Sequence, residues 1–97
     1  MLPSIQFTGH GVELTPTLRD FINDKFERLA KHAVQIISVH VILNVDKLCQ
    51  IAEAKLHLPH KEIYAKADSE DMYKTIDLLI DKLTRQLEKH RGKKDNH

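Results

Sequence analysis

Residues 35–67 alternate. In QIISVHVILNVD, residues 35–46, Ile37, Val39, Val41, Leu43 and Val45 share one parity, and Ser38, His40, Ile42 and Asn44 the other. In QIAEAKLHL, residues 50–58, Ala52, Ala54, Leu56 and Leu58 alternate with Glu53, Lys55 and His57. In EIYAKAD, residues 62–68, Ile63, Ala65 and Ala67 keep the same rhythm. A period of two suits a half-buried strand and not a helix. The first run is also rich in β-branched residues. Three consecutive strands, joined at Lys47-Leu48-Cys49 and at Pro59-His60-Lys61, leave the chain little freedom. They need something to cover their shared apolar face.

The flanking segments supply it. SIQFT, residues 4–8, is a short strand with Ile5 and Phe7 on one side, ended by Gly9-His10-Gly11. Thr15 suits an N-cap and Pro16 the first helical turn. Leu18, Phe21, Ile22, Phe26, Leu29 and Ala30 then recur at helical spacing, with Arg19, Asn23, Asp24, Glu27, Arg28 and Lys31 opposite. A second helix starts near Asp68-Ser69-Glu70-Asp71, whose acids favour the positive end of its dipole. Its buried stripe is Met72, Ile76, Leu79, Ile80, Leu83 and Leu87, and Gly92 marks its end. All three phenylalanines, Phe7, Phe21 and Phe26, are assigned to buried faces. The order is β-α-β-β-β-α. It predicts a two-layer α+β fold, a four-stranded mixed sheet with both helices on one face. The first helix serves as the right-handed crossover between parallel strands one and two. The small inward alanines leave room for helices to lie close. We expect one domain over 1–97, with an ordered core from about residue 2 to 91 and a flexible tail at 92–97.

Composition agrees with a folded chain. The 97 residues are 41% apolar, enough for one modest core. The lone cysteine, Cys49, permits no internal disulfide, which fits a reducing compartment. No run approaches the roughly 20 apolar residues that span a bilayer. MLPSIQFTGHG lacks the basic and apolar regions of a secretory signal. A cytoplasmic protein without membrane contact is expected. The net charge of +1 conceals polarity. Residues 1–81 hold nine Lys and Arg against twelve Asp and Glu, a net of −3, and residues 82–97 hold six against two, a net of +4.

Catalytic chemistry finds no foothold. Three glycines, two of them in Gly9-His10-Gly11, form no phosphate loop. Cys49 lies in a turn with no base fixed beside it by the sequence. Asp77 and Asp81 share a helix face, but Lys74 and Lys82 flank them, so solvated ion pairs outweigh a cation site. Of the seven histidines, His57 and His60 fall at a strand end and a turn. His40 and His57, on the outer face of adjacent strands, are placed to meet across the hairpin. No further ligand with metal-site spacing completes them. We expect no enzyme, no cofactor and no metal.

The basic residues remain. Lys82, Arg85 and Lys89 climb the second helix at spacings of three and four, and Arg91, Lys93 and Lys94 extend the ladder. Arg19, Lys25, Arg28 and Lys31 make a smaller group on the first. Clustered cations bind phosphates by releasing counterions. A solvated helix face that only aids solubility stays open at this level, because Asp24, Glu27, Asp81 and Glu88 intermix. With few aromatics for base stacking, structured RNA gripped by its backbone fits better than single strands.

Two stretches carry more than a charge pattern. IQFTGHGVELTPTLRDF, residues 5–21, and EDMYKTIDLLIDKLTRQLEKH, residues 70–90, resemble the short form of the bacterial ribosome hibernation promoting factors. These belong with the ribosome-associated inhibitor and the sigma-54 modulation proteins. The resemblance covers essentially the whole chain. It implies a fold similar to double-stranded RNA-binding domains. It also implies binding to the small ribosomal subunit and its rRNA, in the channel where messenger and transfer RNA sit. The expected outcome is inhibited translation and the formation or preservation of inactive ribosome dimers in stationary phase. By position, the rRNA-facing candidates are Arg19, Lys25, Arg28 and Lys31, then Lys82, Arg85, Lys89, Arg91, Lys93 and Lys94. Lys82 and Arg85 fall inside the matched motif, whereas Lys93 and Lys94 lie beyond it. The chain stops ten residues after Leu87. The resemblance is therefore to members without the second domain of the long forms or the added tail of the inhibitor. It implies a monomeric free protein that acts with a small ribosome modulation factor. The alternative is a general double-stranded RNA-binding module not specific to ribosomes.

Overall fold

The computed structural model describes residues 5–31 and 35–95, with side chains described as far as Lys89. The elements are β1 (Ile5–His10), α1 (Pro16–Ala30), β2 (Ser38–Asp46), β3 (Cys49–Leu58), β4 (Lys61–Ser69) and α2 (Met72–Asp95). The strands lie in sequence order in one sheet. β1 runs parallel to β2, and the β2–β3 and β3–β4 pairs are antiparallel. This is the mixed sheet that the β-α-β-β-β-α order predicts.

Local chemistry sets the joints. A Cβ on Gly9 would lie 3.0 Å from the Val12 carbonyl oxygen, so only glycine lets the chain fold back this closely. Gly11 takes φ 73°, a left-handed turn open to glycine at no steric cost. The Thr15 hydroxyl accepts from the Leu18 N–H at 3.2 Å and caps α1, with Pro16 following. Asp46 pairs with Cys49, so Lys47 and Leu48 alone make the β2–β3 turn. Such two-residue turns require positive φ, and Lys47 supplies 59° despite its side chain.

The core lies between the sheet and the helices. Val39, Val41 and Leu43 join Ala52, Ala54, Leu56, Ile63, Ala65 and Ala67 from the sheet. Leu18, Ile22, Phe26 and Leu29 enter from α1, and Met72, Ile76, Leu79, Leu83 and Leu87 from α2. All belong to one cluster. Each fully buried Leu, Ile or Phe contributes about 1.5–3 kcal/mol. Ala52 faces Ala67 and Ala54 faces Ala65 across the strands. These four alanines form a flat floor where α2 lies on β3 and β4.

Several expectations need correction. The sheet pairing stops at Ser38, so the alternation does not reach Ile37, which is 53% exposed; Ile36 packs against the core instead. Phe7 and Phe21 are half-buried at the margins, and only Phe26 is fully buried. α2 begins at Met72, so the acids at 68–71 precede its first turn. Asp71 acts there as a cap, its carboxylate accepting from the Lys74 N–H at 3.2 Å. Gly92 does not end α2, which continues to Asp95. One interior glycine costs a helix only about 1 kcal/mol relative to alanine. The expected order at residues 2–4 and the tail beyond Asp95 lie outside the described residues. Sequence periodicity also passed over Thr75. It is fully buried and bonds the Gln50 carbonyl at 3.0 Å and the Ser69 hydroxyl at 2.7 Å.

Candidate nucleic-acid interface

The two helices run parallel, with contacts at a constant offset. Phe21 meets Tyr73 edge to face, ring centroids 4.9 Å apart at 75°. Four residues on along both helices, the Lys25 ammonium lies 2.9 Å from the Asp77 carboxylate. By that offset the end of α1 at Ala30 lies level with Lys82. α2 then runs on for thirteen residues to Asp95, about 20 Å at 1.5 Å per residue. Both C-terminal ends therefore point the same way. The negative ends of their dipoles favour the cations that gather there.

The sequence-predicted cations divide into three groups. Arg28 and Lys31 are exposed at the end of α1, and Arg85 and Lys89 are exposed on the part of α2 that runs beyond it. Arg28 and Arg85 keep loose i,i+4 partners, Asp24 at 3.5 Å and Asp81 at 3.1 Å. Their side chains remain 69% and 76% exposed, so these pairs hold them weakly. Lys31 caps α1, its own N–H bonding back to the Arg28 carbonyl at 3.2 Å.

Arg19, Lys25 and Lys82 have intramolecular partners. The Arg19 guanidinium stands 5.5 Å over the Phe7 ring of β1, on the flank of α1 away from α2. The Lys25 ammonium, besides its carboxylate, lies 5.2 Å over the Phe21 ring. The Lys82 ammonium donates to the Lys66 carbonyl at 2.7 Å. Arg91, Lys93 and Lys94 fall on the α2 backbone, but their side chains lie outside the described residues. The expected pairing of Asp77 and Asp81 with lysines at 74 and 82 is replaced by Lys25 across the helices and Arg85 along α2.

One residue of this surface was missed. Lys74 is exposed two helical turns before Lys82, in line with Leu78, Lys82, Arg85 and Lys89. Two steps of four back from Lys82 would have found it. Gln86 was also passed over. Its amide donates to the Tyr64 carbonyl at 2.8 Å, one turn beyond Lys82. Among the described residues β4 has no strand on its other side, so Lys82 and Gln86 cap carbonyls along a sheet edge.

The sheet face away from the helices has its own polar contacts. The register sets Lys55 opposite His40 and Ser38 opposite His57, so the two histidines are diagonal neighbours and not a directly facing pair. The His40 ring shares a 2.8 Å hydrogen bond with the Thr8 hydroxyl, and His57 lies 3.9 Å from Glu62. Cys49 has a neighbour the sequence did not suggest. Its thiol donates to the Asp68 carboxylate at 3.2 Å. That bond, with the carboxylate's charge, raises the thiol pKa and opposes the reactive thiolate. The Tyr64 hydroxyl donates to Glu53 at 2.6 Å, which likewise raises its pKa.

Residues 5–95 match the family described as Sigma 54 modulation protein / S30EA ribosomal protein. The ribosome hibernation promoting factor of Klebsiella oxytoca is 48% identical over 93 residues, covering 96% of this chain and 98% of that protein. That of Azotobacter vinelandii is 48% identical over 89 residues, covering 92% and 83%. Among solved structures, a ribosomal subunit interface protein from Coxiella burnetii is similar with a TM-score of 0.81 and 41% identity, covering 91% and 97% of the two chains. The N-terminal domain of Thermus thermophilus Protein Y matches with a TM-score of 0.81 and 25% identity, covering 88% and 94%.

Proposed function

This chain belongs to the Sigma 54 modulation protein / S30EA ribosomal protein family, and on that premise we propose that it is a ribosome hibernation factor that binds the small ribosomal subunit through rRNA phosphates. The single observation that carries the reading is that Arg28 and Lys31 on α1 and Arg85 and Lys89 on α2 all stand exposed on two helices that run parallel. Exposed cations fixed on rigid helices grip a phosphate backbone by position and charge. No aromatic platform accompanies them among the described residues. Phe26 is buried, the rings of Phe7 and Phe21 are covered by Arg19 and Lys25, and the exposed tyrosines are engaged elsewhere, Tyr64 with Glu53 and Tyr73 against Phe21 in the first turn of α2. That favours folded RNA read by shape over single strands read by stacking.

In this reading the protein occupies the channel between head and body of the subunit, where messenger and transfer RNA sit. Translation stops because the channel is filled, and no bond is made or broken. Idle ribosomes in stationary phase are kept as inactive dimers, with a small modulation factor as a second partner. The free protein is a cytoplasmic monomer. Arg91, Lys93 and Lys94 extend the contact along α2.

Co-sedimentation with purified ribosomal subunits at low and high salt tests the proposal. Pelleting with the small subunit, weakened by salt, is expected. A protein that stays in the supernatant at both salts refutes it. Equal affinity for an unrelated RNA duplex transfers the function to general double-stranded RNA binding.

A further inference from the structure

We propose that Lys25 and Asp77 form a rung that sets the register of α1 against α2, and that Lys25 acts as a positioning residue without touching phosphate. Lys25 stands on the same helix as Arg28 and Lys31 and carries the same charge, but its surroundings differ. Its side chain is 26% exposed, against 69% for Arg28. The ammonium is held between a carboxylate at 2.9 Å and a ring face at 5.2 Å. To meet a phosphate it must leave both, and the Asp77 charge beside it repels the phosphate.

The placement is that of a register lock. Phe21–Tyr73 and Lys25–Asp77 are successive rungs, each four residues further along both helices. A helical turn is about 5.4 Å, so a slip of one turn would carry Lys31 that far along Arg85 and Lys89. Phosphates held by one helix would then lie beyond hydrogen-bond reach of the other. The aromatic rung resists sliding only through packing. The charged rung adds a directional contact.

The consequence for ribosome binding rests on the function proposed above, whereas urea unfolding tests the rung without it. Lys25→Asp and Asp77→Lys are each expected to lower the urea midpoint and weaken small-subunit binding by about two- to tenfold. The exchanged pair, Lys25→Asp with Asp77→Lys, is expected to recover both. A neutral pair, Lys25→Met with Asp77→Leu, keeps the packing and removes both charges. It should bind with the wild-type dependence on salt. A contact residue behaves otherwise. The neutral pair would lose about one unit of salt slope, and the exchanged pair would recover its fold without its binding. Either result overturns the proposal, as does strict additivity of the two single changes in urea. If the wild-type chain does not sediment with the small subunit, the proposed function falls, and the rung is judged by the urea coupling alone.

Discussion

Replacing Arg85 and Lys89 together by alanine separates binding from folding. Both side chains point away from the core, and the one ion pair lost, Arg85 to Asp81 at 3.1 Å, joins two exposed groups one turn apart. Such a pair is worth about 0.3–0.5 kcal/mol. A domain of this kind holds about 5–15 kcal/mol, so the variant should fold. Binding behaves differently. Each phosphate contact contributes about one unit to the slope of log affinity against log salt. Losing two makes the slope shallower by about two, so a threefold rise in salt weakens the variant about ninefold less than the wild type. The assay is binding to purified small subunits over graded salt, with circular dichroism to verify the fold. Lys55→Ala is the control. It is exposed on the sheet face away from the helices, opposite His40, so its removal should leave the slope unchanged. A folded double variant with the wild-type slope would refute the assignment of Arg85 and Lys89.

Three further outcomes follow from individual contacts. Thr75→Val removes a hydroxyl that is fully buried and bonded to Gln50 and Ser69. It should cost about 1–3 kcal/mol, whereas Thr75→Ser, which loses only a methyl group, should cost about 1 kcal/mol. In thermal unfolding the valine variant should melt below the serine variant, and a valine variant as stable as the wild type contradicts this account. Lys82→Ala with Gln86→Ala uncaps two carbonyls on the β4 edge. Sedimentation analysis should show association that grows with concentration, and a variant that remains monomeric throughout argues against the cap. Asp68→Asn removes the charge that raises the Cys49 pKa. More thiolate is then present at pH 8, so alkylation by iodoacetamide should be faster than in the wild type. Equal rates count against the Cys49–Asp68 contact.

The sequence by itself determined the elements and their buried sides. Alternation at Val39, Val41 and Leu43, and again at Ala52, Ala54, Leu56, Ile63, Ala65 and Ala67, matches the observed core, and fails only at the ends of β2, where Ile37 is exposed and Val45 half-buried. Leu18, Ile22, Phe26 and Leu29 at helical spacing match the core too. These are statements about neighbours a few residues apart, and backbone geometry alone converts such spacing into a face. The Thr15 cap is equally local.

Tertiary structure decided what the polar residues do. Lys25, Arg28 and Lys82 look alike in the sequence, as cations on amphipathic helices. Only the packed molecule gives Lys25 a carboxylate 52 positions away and Lys82 a backbone carbonyl on β4, while Arg28 stays 69% exposed beside Asp24, one turn back on its own helix. The same holds for Cys49, whose partner Asp68 arrives on β4 through the β3–β4 register. It holds too for Thr75, which periodicity passes over and the sheet fills with acceptors. Apolar burial follows from local period because it needs only a face. A charge or a hydroxyl is assigned by its partner, and the partner comes from a distant part of the chain that only the assembled fold brings within 3 Å or so.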